Sequence, residues 1–113
     1  MKTEVKTLAD GKANVISLEG EIDFSVLGDL RQAIEEAAAS KPACLLVDLS
    51  AVSFIASDGL GVLIEANRQA DSEGRKLELI HPQPHILGMF RKTQLVKLFH
   101  IHESVDEALK STG

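Results

Sequence analysis

Leu46-Val47-Asp48-Leu49-Ser50-Ala51-Val52-Ser53-Phe54-Ile55-Ala56-Ser57-Asp58-Gly59-Leu60-Gly61-Val62-Leu63 is the stretch that decides the fold. It continues an apolar run, Cys44-Leu45-Leu46-Val47, that lacks polar alternation, as expected of a strand covered on both faces. Small and polar residues then read as a loop. From Ser57 onward Leu60, Leu63, Ile64, Asn67 and Ala70 recur at three-four spacing, the pattern of one helical face, and Glu73-Gly74 closes it. A central strand, a loop and a helix start follow one another in one piece.

Upstream, Thr3 to Leu8 and Ala13 to Leu18 are short β-branched segments separated by Asp10-Gly11, a pair suited to a tight hairpin turn. After Gly20-Glu21-Ile22-Asp23, apolar residues at Leu27, Leu30, Ile34, Ala37 and Ala38 predict a helix, capped by Ser25 or Asp23 and ended by Lys41-Pro42. Downstream, Leu77, Leu79 and Ile80 predict a fourth strand. Pro82 and Pro84 then introduce a short helix carrying Ile86, Leu87 and Phe90, and Leu95, Leu98 and Phe99 suit a further helical turn. His100 to His102 reads as a short edge strand, and Ser104-Val105-Asp106-Glu107 is a capping box for a terminal helix through Leu109, leaving 111–113 as a short flexible tail.

The order ββαβαβα, with a final short strand and helix, predicts an α/β fold: one domain over 1–113, with a mixed β-sheet and helices packed mainly on one face. At 113 residues the chain suits one compact core, and 44% hydrophobic with 26% charged residues excludes a chain too polar to collapse. A net charge of −5 opposes attraction to phosphate backbones or anionic lipid, and four Phe with no Trp or Tyr leave little surface for stacking bases, so nucleic acid is not expected as a partner. Cys44 is the single cysteine and reads as a small buried hydrophobe in a reducing cytoplasm. Met1 to Asp10 is polar and no run approaches the roughly 18 apolar residues of a membrane span, so neither export nor insertion is expected.

Several chemistries lack their residues. No Gly-rich loop ends in Lys-Ser/Thr and no GxGxxG follows a strand, and Ser57 lacks the GxSxG turn of an α/β-hydrolase, so an enzyme is not expected. His81, His85, His100 and His102 have no cysteine or carboxylate at ligand spacing beside them and read as surface or turn residues, with no metal and no cofactor. Asp48 at a strand end is similar to the phospho-aspartate of a response-regulator receiver. A receiver also needs an acidic pair after its first strand and a late Lys, which Leu8-Ala9-Asp10 and Ile80-His81-Pro82 do not supply.

Ser57 is the candidate functional residue. A helix N-terminus offers free N–H groups and a partial positive charge, which steady an anion such as a phosphate. Serine is also a favoured N-cap whatever the function, and Asp58 in a first turn suits the helix dipole. Gly59 and Gly61 cost helix propensity, which makes sense where a partner must approach the backbone closely.

The stretch from 46 to 63 resembles the signature of the STAS domain, the family of bacterial anti-sigma factor antagonists, in which a central strand leads to Asp-Ser-Ser/Thr-Gly-Leu-Gly-Val-Leu. Gly20-Glu21-Ile22-Asp23 is similar to the family's Gly-Glu-Leu-Asp, and the order of elements extends the resemblance over essentially the whole chain. It implies that Ser57 is the phosphoacceptor, and that Asp23, Asp58, Gly59 and Gly61 lie at the partner-binding surface. It also implies a partner that is at once a serine kinase, holding ATP and Mg²⁺, and an anti-sigma factor. The unphosphorylated domain would bind that kinase, phosphorylation would release it, and a Ser/Thr phosphatase acting on Ser57 would reset the switch.

This chain departs from the signature at two positions. Ala56 stands where the family commonly has Asp, and Asp58 where it has Ser or Thr, which predicts slower or partner-restricted phosphorylation. The alternative implied by the family is an adaptor subunit of a stressosome-like or lipid-transport complex without a phospho-switch.

Overall fold

The structure, a computed structural model, describes residues 2–8 and 11–112, the last two by their backbone. Strands β1 (Lys2–Leu8), β2 (Ala13–Ile22), β3 (Cys44–Ile55), β4 (Lys76–Ile80) and β5 (His100–His102) form one sheet in that spatial order. β1 and β2 are antiparallel, with Leu8 opposite Ala13, while β2, β3, β4 and β5 run parallel. Of the expected Asp10-Gly11 turn, Asp10 lies outside the described residues, and Gly11 has φ +87°, a conformation that favours glycine.

Parallel neighbours require crossovers, and the helices supply them: α1 (Leu27–Ala38), α2 (Ser57–Ser72) and α3 (Pro84–Lys92) precede β3, β4 and β5, and α4 (Val105–Thr112) ends the fold. Alternation along β3 sorts its side chains onto two faces. Leu45, Val47 and Leu49 pack with Ile16, Leu18, Leu77 and Leu79 against Leu30 of α1, Leu63 of α2 and Phe90 of α3. Cys44 and Leu46 point the other way and, with Ala13, Val15 and Ile80, meet Ala108 of α4. The sheet is therefore covered mainly on one face, with α4 on the other. Each large side chain fully buried here stabilises the fold by about 1.5–3 kcal/mol.

The ends of elements differ from the sequence expectation in instructive ways. Asp23 does not cap α1: its carboxylate accepts from Ser25 N and holds a 3₁₀ turn, Phe24–Val26, and α1 starts beyond it with no side-chain cap at Val26. The buried stripe of α2 is Gly59, Val62, Leu63, Ala66 and Ala70, whereas Leu60, Ile64 and Asn67 are half-buried, so the helix is rolled relative to the expected face. Ser104 Oγ accepts from Glu107 N at 3.1 Å, a cap for α4, whose helical backbone reaches Thr112, into the segment expected as a tail.

β3 is the largest correction. The stretch between the apolar run and Ser57, expected as a loop, remains in the strand as far as Ile55. Ser17 faces Asp48 but Glu19 faces Ala51, and Gly20 faces Val52 but Glu21 faces Phe54, so β3 carries one more residue than β2 at each of two irregularities. Such bulges bend a strand and re-aim the residues beyond them. Here they bring the end of β3 beside the end of β2, where Ala56 N donates to Ile22 O at 2.8 Å. The start of α2 is thus tied to the turn that holds Asp23.

A buried polar cluster lies on the α4 side of the sheet, which sequence reading did not single out. Glu78 is only 2% exposed. Its carboxylate accepts from Cys44 Sγ at 3.6 Å and sits 3.3 Å from His102 Nε2. Burial, with Glu78 beside it, pushes the Cys44 thiol up to about 12.

Candidate functional site

Ser57 is the first helical residue of α2, and the N-cap position belongs to Ala56, whose backbone is extended (φ −76°, ψ 161°) and which makes no side-chain cap. Leu60 N donates to Ala56 O at 3.0 Å, closing the first turn. The N–H groups ahead of Leu60 have no carbonyl within the helix to bond. Ser57 is exposed, as is Asp58, whose carboxylate in the first turn complements the positive end of the helix dipole. The capping role open to Ser57 in the sequence is therefore not the one it has.

Asp23 follows directly from Ile22, whose carbonyl is bonded to Ala56, so the backbone joins the Asp23 turn to the residue preceding Ser57. Its carboxylate accepts from Ser25 Oγ at 2.5 Å and from Ser25 N at 3.0 Å. The hydroxyl hydrogen bond foremost, helped by the Ser25 backbone N–H, holds its pKa below the ordinary carboxylate value although desolvation opposes it. Asp23 is accordingly an anion fixed on the turn that follows β2.

The two glycines of the first turns differ. Gly59 is buried, and a Cβ placed on it would lie 2.6 Å from Ile22 Cγ2. Packing of α2 onto the end of β2 accounts for this glycine, not the partner access that sequence alone suggested. Gly61 is exposed and a Cβ there would meet nothing within 4 Å, so the fold does not require it.

Ser57, Asp58 and Gly61 line a groove of about 570 Å³ between α1 and α2. Its floor is Leu27, Ile34, Val62 and Ala66, and its rim carries Arg31, Glu35 and Glu65. Phe24 stands at the same groove and is 77% exposed. Sequence reading missed Phe24, Arg31, Glu35 and Glu65. An aromatic residue inside the polar run Asp23-Phe24-Ser25 was a legible signal, but the α1 residues gain meaning only once α1 is known to lie beside α2. Phe54, at 48% exposure, is a second exposed aromatic near the end of β3.

Three of the four histidines have contacts of different kinds. His85 Nε2 lies 2.7 Å from Ser53 O, His81 N donates to His102 O, and His102 faces Glu78. Among the described residues no group of three or more His, Cys, Asp or Glu is arranged to hold a metal ion, and no helix is long and apolar enough to cross a membrane.

The chain is similar to the anti-sigma-F factor antagonist RsfB of Mycobacterium tuberculosis, 47% identical over 49 residues that make up 43% of this chain and 40% of that relative. The matched region thus spans two fifths of that relative's length. The fold is similar to the crystal structure of an anti-sigma factor antagonist from Mycobacterium paratuberculosis, with a TM-score of 0.85 at 31% identity over 97% of this chain and 92% of the other. It is also similar, at 19% identity and a TM-score of 0.73 over 99% and 100% of the two chains, to the Bacillus cell fate determinant SpoIIAA in its phosphorylated form. The model of the STAS domain matches residues 4–108, nearly the whole sheet and its helices, and the chain belongs to that family.

Proposed function

We propose that this domain is an anti-sigma factor antagonist that works as a partner switch in the cytoplasm, without catalysing a reaction itself. The unphosphorylated domain binds a kinase-type anti-sigma factor at the start of α2. That kinase, using its own ATP and Mg²⁺, transfers a phosphoryl group to Ser57 Oγ, and the modified domain is released until a Ser/Thr phosphatase restores it.

The observation that carries this reading is the exposure of Ser57 at the first position of α2 with Ala56, not Ser57, at the cap. Its hydroxyl is free of the structural duty that explains many serines at helix starts. The matched relatives named as antagonists and the phosphorylated state named for SpoIIAA support the same reading. Phosphorylation adds nearly two negative charges beside Asp58 and close to the Asp23 turn, so a docked surface meets repulsion and a desolvation penalty together.

The test is incubation with a cognate ATP-binding kinase, followed by intact mass and site mapping of the wild type and Ser57→Ala. One phosphate on the wild type and none on the variant is the expected outcome, and an unmodified Ser57 sinks the switch. Equal kinase affinity of Ser57→Ala and Ser57→Glu would show that charge here regulates nothing.

A second reading, a STAS adaptor subunit bound constitutively in a larger assembly, is favoured by Ala56 and Asp58, which displace the acidic residue from one side of Ser57 to the other. In that case the kinase leaves Ser57 unmodified while partner binding persists.

A further inference from the structure

We propose that the groove between α1 and α2 seats a basic amphipathic helix of the partner, about three turns long, lying antiparallel to α2 with its C-terminal end over Ser57. This rests on the proposed docking of a partner at the start of α2, and it names the shape, charge and direction of the docked element.

The length follows from the lining. Asp58 and Gln69 both border the groove, and the helical rise between them covers about 16 Å, three turns of a neighbouring helix. The apolar floor, Leu27 and Ile34 on one side and Val62 and Ala66 on the other, suits side chains at three-four spacing. Gly61 lies in this lining with open space where a Cβ would stand. A helix loses stability by holding such a glycine, and the fold gains nothing from it; a second helix brought close to the backbone does. Phe24, 77% exposed on its 3₁₀ turn, is the large apolar anchor such an interface buries.

Charge selects the occupant. Asp58, Glu35 and Glu65 set three carboxylates against the single guanidinium of Arg31, in a chain of net charge −5. Lys or Arg flanking the occupant's apolar stripe would complement that rim. Direction follows from Ser57. The positive start of α2 attracts the carbonyl end of a docked helix, so the antiparallel arrangement is favoured before phosphorylation. A phosphoryl group on Ser57 then faces those carbonyls and opposes docking, which reconciles a basic partner with release by an anion.

The experiment uses the ¹⁵N-labelled full chain and a synthetic, end-blocked helical peptide of about four turns, with Leu at heptad-like spacing, Lys and Arg beside them and a nitroxide at its C-terminus; the control is a twin with Glu in place of the basic residues. The expected result is amide shifts within 27–35 and 57–69, broadening strongest at Ser57, and no response to the acidic twin. Glu35→Lys with Glu65→Lys should weaken the basic peptide by about tenfold or more, and Ser57→Glu should weaken it as well, with unchanged circular dichroism in each. Shifts elsewhere, equal binding of the two peptides, indifference to the charge reversals or to Ser57→Glu, or broadening at Gln69 instead of Ser57 would overturn the proposal. Self-association of the free chain through these same amides would do so too, because a second copy would then be the occupant.

Failure here is distinguishable from failure of the switch. A kinase that binds and modifies Ser57 yet ignores the Glu35 and Glu65 reversals overturns the groove alone. Peptide docking with an unmodified Ser57 overturns the switch alone.

Discussion

Gly59 and Ile22 are in such close approach that a Cβ on Gly59 would lie 2.6 Å from Ile22 Cγ2. Ile22 is fully buried and β-branched, so it has no free rotamer into which to retreat. Gly59→Ala should therefore lose about 1–2 kcal/mol, the cost of overpacking less the gain in helix propensity. Gly61→Ala meets open space and should gain up to about 1 kcal/mol. Urea unfolding of both variants checks the contrast, and a shared sign would refute the claim that packing requires the glycine at 59 but not at 61.

Asn14 ties β2 to the end of α1. It is 3% exposed, and its Nδ2 donates to Ala37 O at 2.6 Å and to Ser40 Oγ at 3.1 Å. The Ala37 carbonyl belongs to the last turn of α1, where no helical N–H follows to satisfy it. Asn14→Ala should cost about 1–3 kcal/mol, because it leaves a buried acceptor unpaired, whereas Ser40→Ala should cost under about 1 kcal/mol. Denaturant midpoints, together with faster amide exchange at 38–41 in Asn14→Ala only, would establish the link.

Much of the architecture was legible because hydrophobic periodicity tracks burial wherever a segment has one buried face. Leu27, Leu30 and Ala37 of α1 are such cases, and the unbroken apolar run of β3 marks the opposite one, a strand buried on both faces. The second half of β3 was not legible, because its two bulges shift the alternation, so that Ser53 and Phe54 are both exposed between buried Val52 and Ile55. Glu78 escaped notice because a carboxylate in a strand reads as outward-facing, and only β5 brings it the His102 partner. The site shows the same division. Ser57 and Asp58 were read from local helix-start chemistry, whereas the groove that surrounds them depends on α1 lying beside α2, a relation no local pattern encodes.

Cys44 supplies a pH dependence. Burial foremost, then the Glu78 carboxylate, raises its thiol from 9.0 to about 12 in the folded protein. The raised value means that its contribution to stability is complete below pH 9 and is lost as pH rises from 9 toward 12, where the unfolded chain ionises first. The stability of the wild type relative to Cys44→Ala should therefore decline with pH across that window and be flat below it. Iodoacetamide should label Cys44 only as fast as the domain opens, with rates that rise with urea in step with unfolding. Rapid labelling of the native protein at neutral pH would contradict the burial.

Ala56 occupies the N-cap of α2 in the extended conformation that a capping residue needs, yet contributes no oxygen to the free N–H groups of the first turn. Ala56→Asp should supply that cap and raise stability by about 0.5–2 kcal/mol. It also restores the acidic residue that the family commonly places before its phosphoacceptor. Asp58→Ser removes a carboxylate that suits the helix dipole and should cost about 0.3–1 kcal/mol. If the family's kinase reads the acidic residue on the near side of Ser57, the double variant should be phosphorylated faster than the wild type. A faster rate for Asp58→Ser alone would instead show that the present carboxylate repels the incoming ATP, and the local charge would then act as a brake on modification, not as a recognition element. Initial rates of phosphate incorporation for the two single variants and the double, each with Ser57→Ala as the blank, separate these outcomes.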